Sequence, residues 1–170
     1  VARAIVDAEV SIVIELIGGI EPAKSMIIHA LDAGKDVVTA NKALLAEHGV
    51  ELFAHARQRG RTIAFEASCA GGIPIVGALR DGLIANRIDS ICGILNGTCN
   101  YILTEMSQTG MDYSAALLGA KNAGYAEADP AMDVDGTDAA QKLAILAHLA
   151  FGARVPSYAI PRLGIEQSDS

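Results

Sequence analysis

The run Val10-Ser11-Ile12-Val13-Ile14-Glu15-Leu16 is short, β-branched and almost wholly apolar, which is the pattern of a strand buried in a sheet. Ile17-Gly18-Gly19-Ile20 turns the chain, and Glu21-Pro22 starts a helix, with proline in the first turn where its missing N–H costs least. Ile27, Ile28, Ala30 and Leu31 give that helix an inner face, and Gly34 ends it. Asp36-Val37-Val38-Thr39 reads as a second strand. Asn41-Lys42 begins a helix that runs to Arg59, with Gly49 inside it and Gly60 closing it, and Thr62 to Glu66 reads as a third strand. Strand and helix alternate with short joints, so the expected class is α/β, a parallel sheet with crossover helices.

Beyond residue 66 the pattern changes. Ser68-Cys69-Ala70-Gly71-Gly72-Ile73-Pro74 is a glycine-rich loop, followed by a predicted helix from about Ile75 to Ala85. Arg87 to Leu95 alternates Ile88, Ser90 and Cys92 with Asp89, Ile91 and Gly93, which predicts a long strand. Asn96-Gly97-Thr98 breaks it. Thr98 to Gln108 and Tyr113 to Asn122 read as helices stopped by Gly110 and Gly124, and a last helix spans Asp138 to Phe151. Val155-Pro156 and Ile160-Pro161 mark an extended tail. The boundary between a nucleotide-type half and a second layer is expected near residues 66 to 74.

Bulk properties narrow the function. The chain has 170 residues, 51% of them hydrophobic, and a mean hydropathy of +0.33, so it can bury a large core. Net charge is −7 and no basic stripe occurs, which argues against nucleic acid and anionic membrane as partners. Aromatics are 4% and Trp is absent, so no base-stacking platform is expected. No apolar run approaches the ~18 residues of a membrane span; Glu15 interrupts the longest, Val10 to Ile20. The N-terminus has no signal-peptide layout and no initiator Met, and the end at Ile165 to Ser170 is equally abrupt, so the chain reads as a piece of a longer protein. Cys69, Cys92 and Cys99 are an odd number without a CxxC pair, which fits a reducing cytoplasm rather than a disulfide framework or a structural zinc site.

Several residues carry chemistry. Residues 125 to 142 crowd five carboxylates (Glu127, Asp129, Asp133, Asp135, Asp138) into a loop punctuated by Pro130 and Gly136. Asp138 and Lys142 stand four apart, so on a helix their side chains meet, and a lysine held beside a carboxylate can carry a proton. A solvated acidic loop capping a surface helix is the plain alternative. The loop is no EF-hand, because Gly136 at the sixth place would put Ala131 first and Lys142 twelfth. Gly18-Gly19 follows a strand but lacks the third glycine of a dinucleotide fingerprint; a tight turn explains it equally. Both that turn and Lys42 stand at carboxyl ends of parallel strands, where ligands bind in open α/β sheets. Glu66 ends a strand before the glycine loop, a position suited to an oxygen cage for a hard cation, although loop geometry alone explains the glycines. Cys69 is either a nucleophile or, as we favour, a small buried residue; none of His29, His48, His55 and His148 forms a convincing motif with it, and His148 reads as core or core edge.

Taken together, these segments resemble the homoserine dehydrogenase family. Val38-Thr39-Ala40-Asn41-Lys42-Ala43-Leu44-Leu45-Ala46 resembles its lysine motif, and Phe65-Glu66-Ala67-Ser68-Cys69-Ala70-Gly71-Gly72-Ile73-Pro74-Ile75 its glycine loop. Gly93-Ile94-Leu95-Asn96-Gly97-Thr98-Cys99-Asn100-Tyr101-Ile102 resembles its strand-turn-helix at the active site, and residues 124 to 142 its signature. The similarity runs from about Val10 to Glu166, with several long motifs in the right order.

The resemblance implies an enzyme that interconverts L-aspartate 4-semialdehyde and L-homoserine with NADH or NADPH, in the branch toward threonine, methionine and isoleucine. It implies a partial Rossmann-type sheet over residues 1 to 66 and a mixed sheet covered by helices over residues 67 to 170, which pairs across a two-fold axis as a homodimer. Lys142 would be the proton donor and acceptor, Asp138 would orient it, and Lys42 would sit between nicotinamide and substrate. Glu127 would bind the substrate ammonium with Asp133 close by, and Gly97 and Thr98 would line the substrate pocket. Gly18, Gly19, Thr39, Asn41 and Lys42 would face the cofactor. Glu66 with carbonyls of Cys69, Gly71 and Ile73 would match a monovalent cation site for Na or K. The family's phosphate loop lies upstream of Val1, so the isolated chain is expected to turn over slowly or not at all. Another NAD(P)-dependent oxidoreductase of a small amino acid, or a non-catalytic dimerisation module, are the alternatives.

Overall fold

A computed structural model of the chain describes residues 5–166. Residues 1–4 and 167–170, which hold the first part of the N-terminal stretch and the last part of the abrupt C-terminal one, lie outside the described residues.

Three parallel strands form one sheet in the order β1 (Ile12–Glu15), β2 (Asp36–Thr39), β3 (Ile63–Ala64). Ile12 pairs with Asp36 and Glu15 with Thr39, while Val37 pairs with Ile63. The crossovers are α1 (Glu21–Asp32), with proline in its first turn, and α2 (Lys42–Gln58). Ala23, Ile27, Ala30 and Leu31 of α1 are buried together with Val37 of β2 and Leu44, Leu45, Leu52 and Ala56 of α2, so the helical stripe meets the middle strand. β1 was expected to be buried but is not: its side chains alternate between faces, Ile12 and Ile14 stand exposed on one of them, and Glu15 is its one buried residue. Asn41 caps α2: its side chain accepts the backbone N–H of Leu44 at 3.1 Å.

β3 is shorter than Thr62 to Glu66, because Glu66–Ser68 turns into a 3₁₀ segment held by the Ser68 hydroxyl donating to the Phe65 carbonyl at 2.6 Å. The helix expected to Ala85 is α3 (Ile75–Gly77), which widens at once into a π turn, Ala78–Gly82.

The second half is helical. α4 (Gly97–Thr109) and α5 (Tyr113–Asn122) form a hairpin around Ile102, Met106, Ala116 and Ala120. Gly110 ends α4 in the left-handed region at φ 70°. A short α6 (Ala131–Val134) lies inside the acidic loop and adds Val134 to that cluster. α7 (Thr137–Phe151) then crosses back, and its Ile145 and Leu146 belong to the first core, with the sheet and α2. A 3₁₀ turn, Ser157–Ala159, leads into the tail.

The expected mixed sheet is not present among the described residues. Arg87 to Leu95 forms no helix and pairs with no strand. Ile88, Ile91 and Leu95 pack against the first core, a spacing of three and four rather than two. Cys92, Gly93 and Ile94 face solvent. Alternation marks a strand only where a neighbour satisfies the backbone, and among the described residues none stands beside this segment.

Candidate active site

The first turns of α2 and α7 meet. Further along, Phe53 of α2 stacks on His148 of α7 with ring centroids 6.4 Å apart, so the two helices run side by side in the same direction. Both positive helix ends therefore point at one place, which favours negative charge there.

Asp138 fills that place and is 5% exposed. Its Oδ2 accepts hydrogen bonds from Lys142 Nζ at 2.7 Å and Asn96 Nδ2 at 2.8 Å, and its Oδ1 lies 3.1 Å from Lys42 Nζ. Burial pushes the Asp138 carboxyl up. The hydrogen bonds from Lys142 and Asn96, the Lys142 charge and the Lys42 contact outweigh burial and hold it below its ordinary value. Lys142 Nζ also donates to the Leu95 carbonyl at 2.8 Å, so the segment that fails to form a strand ends as a ligand of the lysine.

Asn96 is the residue that sequence reasoning missed, having been read only as a strand breaker. Its Oδ1 caps α4 by accepting the Cys99 N–H at 2.8 Å. Its two amide hydrogens go to Asp133 Oδ1 and Asp138 Oδ2, each at 2.8 Å. The capping role was legible, since Asn before a helix is a cap signal. The bridge between two carboxylates 37 and 42 residues away was not. Beside it the Thr98 hydroxyl donates to the Tyr125 carbonyl at 2.6 Å and lies 3.2 Å from Asp133 Oδ2.

The substrate-side residues divide. Asp133, Thr98 and Gly97 gather around Asn96, whereas Glu127 is exposed and has no hydrogen bond or ion pair among the described residues. At the carboxyl ends of β1 and β2, where the cofactor-facing residues were expected, a cleft of about 270 Å³ is lined by Glu15, Leu16, Gly18, Asn41, Lys42 and Gln141 among others. Gly18 and Gly19 have φ 72° and 73°, and the space where a Cβ would stand is open at both, so backbone conformation and not crowding demands glycine there. Asn41 Nδ2 donates to the Gly19 carbonyl at 2.7 Å. Thr39 is buried behind the cleft wall, its hydroxyl engaged by Glu15 and the Asn41 N–H. A larger groove of about 440 Å³ beside His148 contains none of these lysines or carboxylates.

Glu66 accepts the N–H groups of Val76 at 3.0 Å and Gly77 at 2.8 Å, and the Ile73 carbonyl accepts the Ile75 N–H at 2.8 Å. Between them Ala70 stands at φ 48°, in the left-handed region that non-glycine residues seldom adopt. Cys69 is fully buried, and burial pushes its thiol up, which leaves it a poor nucleophile as the favoured reading expected. Cys99 is driven up to about 11, first by burial and then by the carboxylates of Asp133, Asp138 and Asp135. All three cysteines are free thiols. Among the described residues no helix is long and apolar enough to cross a membrane.

The family model described as "Homoserine dehydrogenase" matches residues 74–170, and "Homoserine dehydrogenase, NAD binding domain" matches residues 1–66. The chain belongs to the homoserine dehydrogenase family. It is 55% identical over 144 residues to the homoserine dehydrogenase of Pseudomonas aeruginosa, covering 85% of this chain and 33% of that protein. The homoserine dehydrogenase of Synechocystis sp. is 52% identical over 151 residues, 89% of this chain and 35% of its own. The chain thus spans about a third of the length of these curated relatives. A homoserine dehydrogenase structure from Thiobacillus denitrificans superposes with TM-score 0.92 at 50% identity, covering 97% of this chain and 38% of that one. A hyperthermophilic archaeal homoserine dehydrogenase in complex with NADPH superposes with TM-score 0.82 at 34% identity, over 94% and 49% of the two chains. Residues 1–66 are an NAD(P)-binding region by family.

Proposed function

We propose that this chain carries the proton-transfer site of an NAD(P)-dependent homoserine dehydrogenase, which interconverts L-aspartate 4-semialdehyde and L-homoserine. The observation that carries the reading is one buried carboxylate, Asp138, shared by two lysines, of which Lys42 lines the strand-end cleft.

Reduction of an aldehyde builds negative charge on its oxygen. An ammonium group within hydrogen-bonding reach stabilises that charge and then supplies the proton. Lys142 takes this role: Asp138 and the Leu95 carbonyl fix two of its three N–H directions, and the third is left for the substrate oxygen. In the reverse direction Lys142 removes the hydroxyl proton. Lys42, held among the described residues by Asp138, stands on the cofactor side and adds positive charge at the reacting oxygen. When bound, the nicotinamide supplies or takes up the hydride. Gly18 and Asn41 line its side of the cleft, with Gly19 tied to Asn41 beside them and Thr39 supporting them from beneath.

The substrate ammonium is assigned to Glu127 and Asp133, with Gly97 and Thr98 lining the pocket; loss of water on binding makes this charge pairing a source of specificity. A sodium or potassium ion is assigned to Glu66 and the carbonyls of Cys69, Gly71 and Ile73. These are hard oxygen donors, and each engaged oxygen keeps a lone pair. The exposed apolar side chains of Ile84, just before the unpaired 87–95 segment, and of Ile94, within it, support a homodimer. Three free thiols support a cytoplasmic setting.

The test is NAD(P)-dependent oxidation of L-homoserine by a protein carrying this sequence at the full length of its relatives. Turnover with either cofactor supports the reading, and none with both rejects it.

A further inference from the structure

We infer that Glu15 is a positioning residue: one buried carboxylate clamps the carboxyl ends of β1 and β2 together and thereby sets where Lys42 stands relative to Asp138. The inference rests on the functional reading above and assigns a part to a residue which that reading leaves idle.

Glu15 is the last residue of β1 and is 1% exposed, in a run that is otherwise apolar. A carboxylate is costly to bury without partners. Glu15 forms no ion pair among the described residues; its partners are all neutral donors at the strand ends. Oε2 accepts from the Thr39 hydroxyl at 2.6 Å, across the β1–β2 pairing. Oε1 accepts from the N–H groups of Ile17 at 2.9 Å and Gly18 at 3.3 Å, which draws the glycine turn onto the strand end.

The contacts continue in one direction. Because the single Thr39 hydroxyl hydrogen is donated to Glu15, its oxygen is left to accept the Asn41 N–H at 3.0 Å. Asn41 in turn ties back to the Gly19 carbonyl at 2.7 Å and caps α2 through Leu44 N–H at 3.1 Å. Lys42 is the first residue of that helix. A connected run of hydrogen bonds therefore leads from the buried carboxylate to the helix start whose ammonium meets Asp138 at 3.1 Å. A chain of this kind transmits a lost partner as a displaced backbone, and small displacements at reacting groups cost turnover steeply.

Glu15→Gln keeps the shape but replaces one acceptor oxygen by an N–H₂ group, which must face either the Thr39 hydroxyl or the Ile17 and Gly18 N–H groups. Thr39→Val cuts the next link. In the full-length protein each variant is expected to lower kcat for homoserine oxidation about tenfold to a hundredfold while KM for homoserine stays within about twofold. Each should also move the pH profile of kcat/KM, since the Lys42–Asp138 pair loosens. Thr39→Ser should recover most of what Thr39→Val loses. The double variant Glu15→Gln/Thr39→Val should be no worse than the poorer single one, because both act through one chain of contacts. A lower melting temperature with kcat and pH profile unchanged would reduce Glu15 to a structural residue and overturn the inference, as would additive losses in the double variant. No turnover by the wild type overturns the functional reading and this inference with it, whereas wild-type turnover matched by Glu15→Gln overturns this inference alone.

Discussion

The two lysines of the site come from opposite halves of the molecule and are held very differently. Lys42 opens α2 in the sheet half, is 36% exposed along its side chain, and among the described residues its ammonium meets one partner, Asp138. Lys142 lies one turn into α7 in the helical half, is 17% exposed, and is fixed by both Asp138 and the Leu95 carbonyl. A group that moves a proton to one defined atom gains from being fixed, while a group that only contributes field tolerates freedom. Under the proposed function this contrast favours Lys142 of the helical half for the proton and Lys42 of the sheet half for electrostatic support, with Asp138 as the joint between them.

The largest test of that contrast is Lys142→Ala in the full-length protein. It should lower kcat about a thousandfold with KM little changed, as expected for an interaction made in the transition state. Lys42→Ala should cost about tenfold to a hundredfold. Equal losses, or the reverse order in steady-state kinetics, would break the division of labour.

Asp138→Asn removes the joint and should cost about a hundredfold in kcat, because both lysines lose their shared acceptor. It also carries a pH signature. The Asp138 pKa is held below 3.8, so the folded protein binds fewer protons here than the unfolded chain does near that pH. Its contribution to stability is therefore complete above the ordinary value and is lost as pH falls through the lowered one. Acid unfolding followed by circular dichroism should show a shallower dependence below about pH 4 in Asp138→Asn than in the wild type.

Asn96→Ala removes a helix cap and a double donor to two carboxylates. It should lower stability by about 1–3 kcal/mol in urea unfolding, with kcat falling less than for Asp138→Asn. The smallest effect is expected at Gly136, the residue before α7. Its φ of 84° is strained for alanine, and a Cβ would meet Arg162 at 3.3 Å. Gly136→Ala should cost about 1–2 kcal/mol, with kcat reduced only as far as the first turn of α7 shifts. A thermal melt beside a kcat measurement separates the two.

The sheet half was legible because its signals are local. A β-branched run, a proline at a helix start and a glycine at a helix end each act over a few residues, and β1, α1, β2 and α2 stand where those signals put them. The second half misled at Arg87 to Leu95, where alternation was real but the neighbour that makes a strand was missing. At the site, the Asp138–Lys142 pair was readable from its spacing of four. Asn96 and Glu15 were visible only as a breaker and as an interruption of an apolar run.

By itself the sequence determined the parallel βα alternation, the caps and the i to i+4 ion pair, since each depends on periodicity or on contacts within a turn or two of chain. Tertiary structure alone decided that α2 and α7 set their first turns side by side, that Asp138 serves both lysines, and that Leu95 ends as a carbonyl ligand instead of a strand residue. Those outcomes depend on which distant groups remain unsatisfied after the cores pack, and one buried carboxylate must then collect every donor within reach.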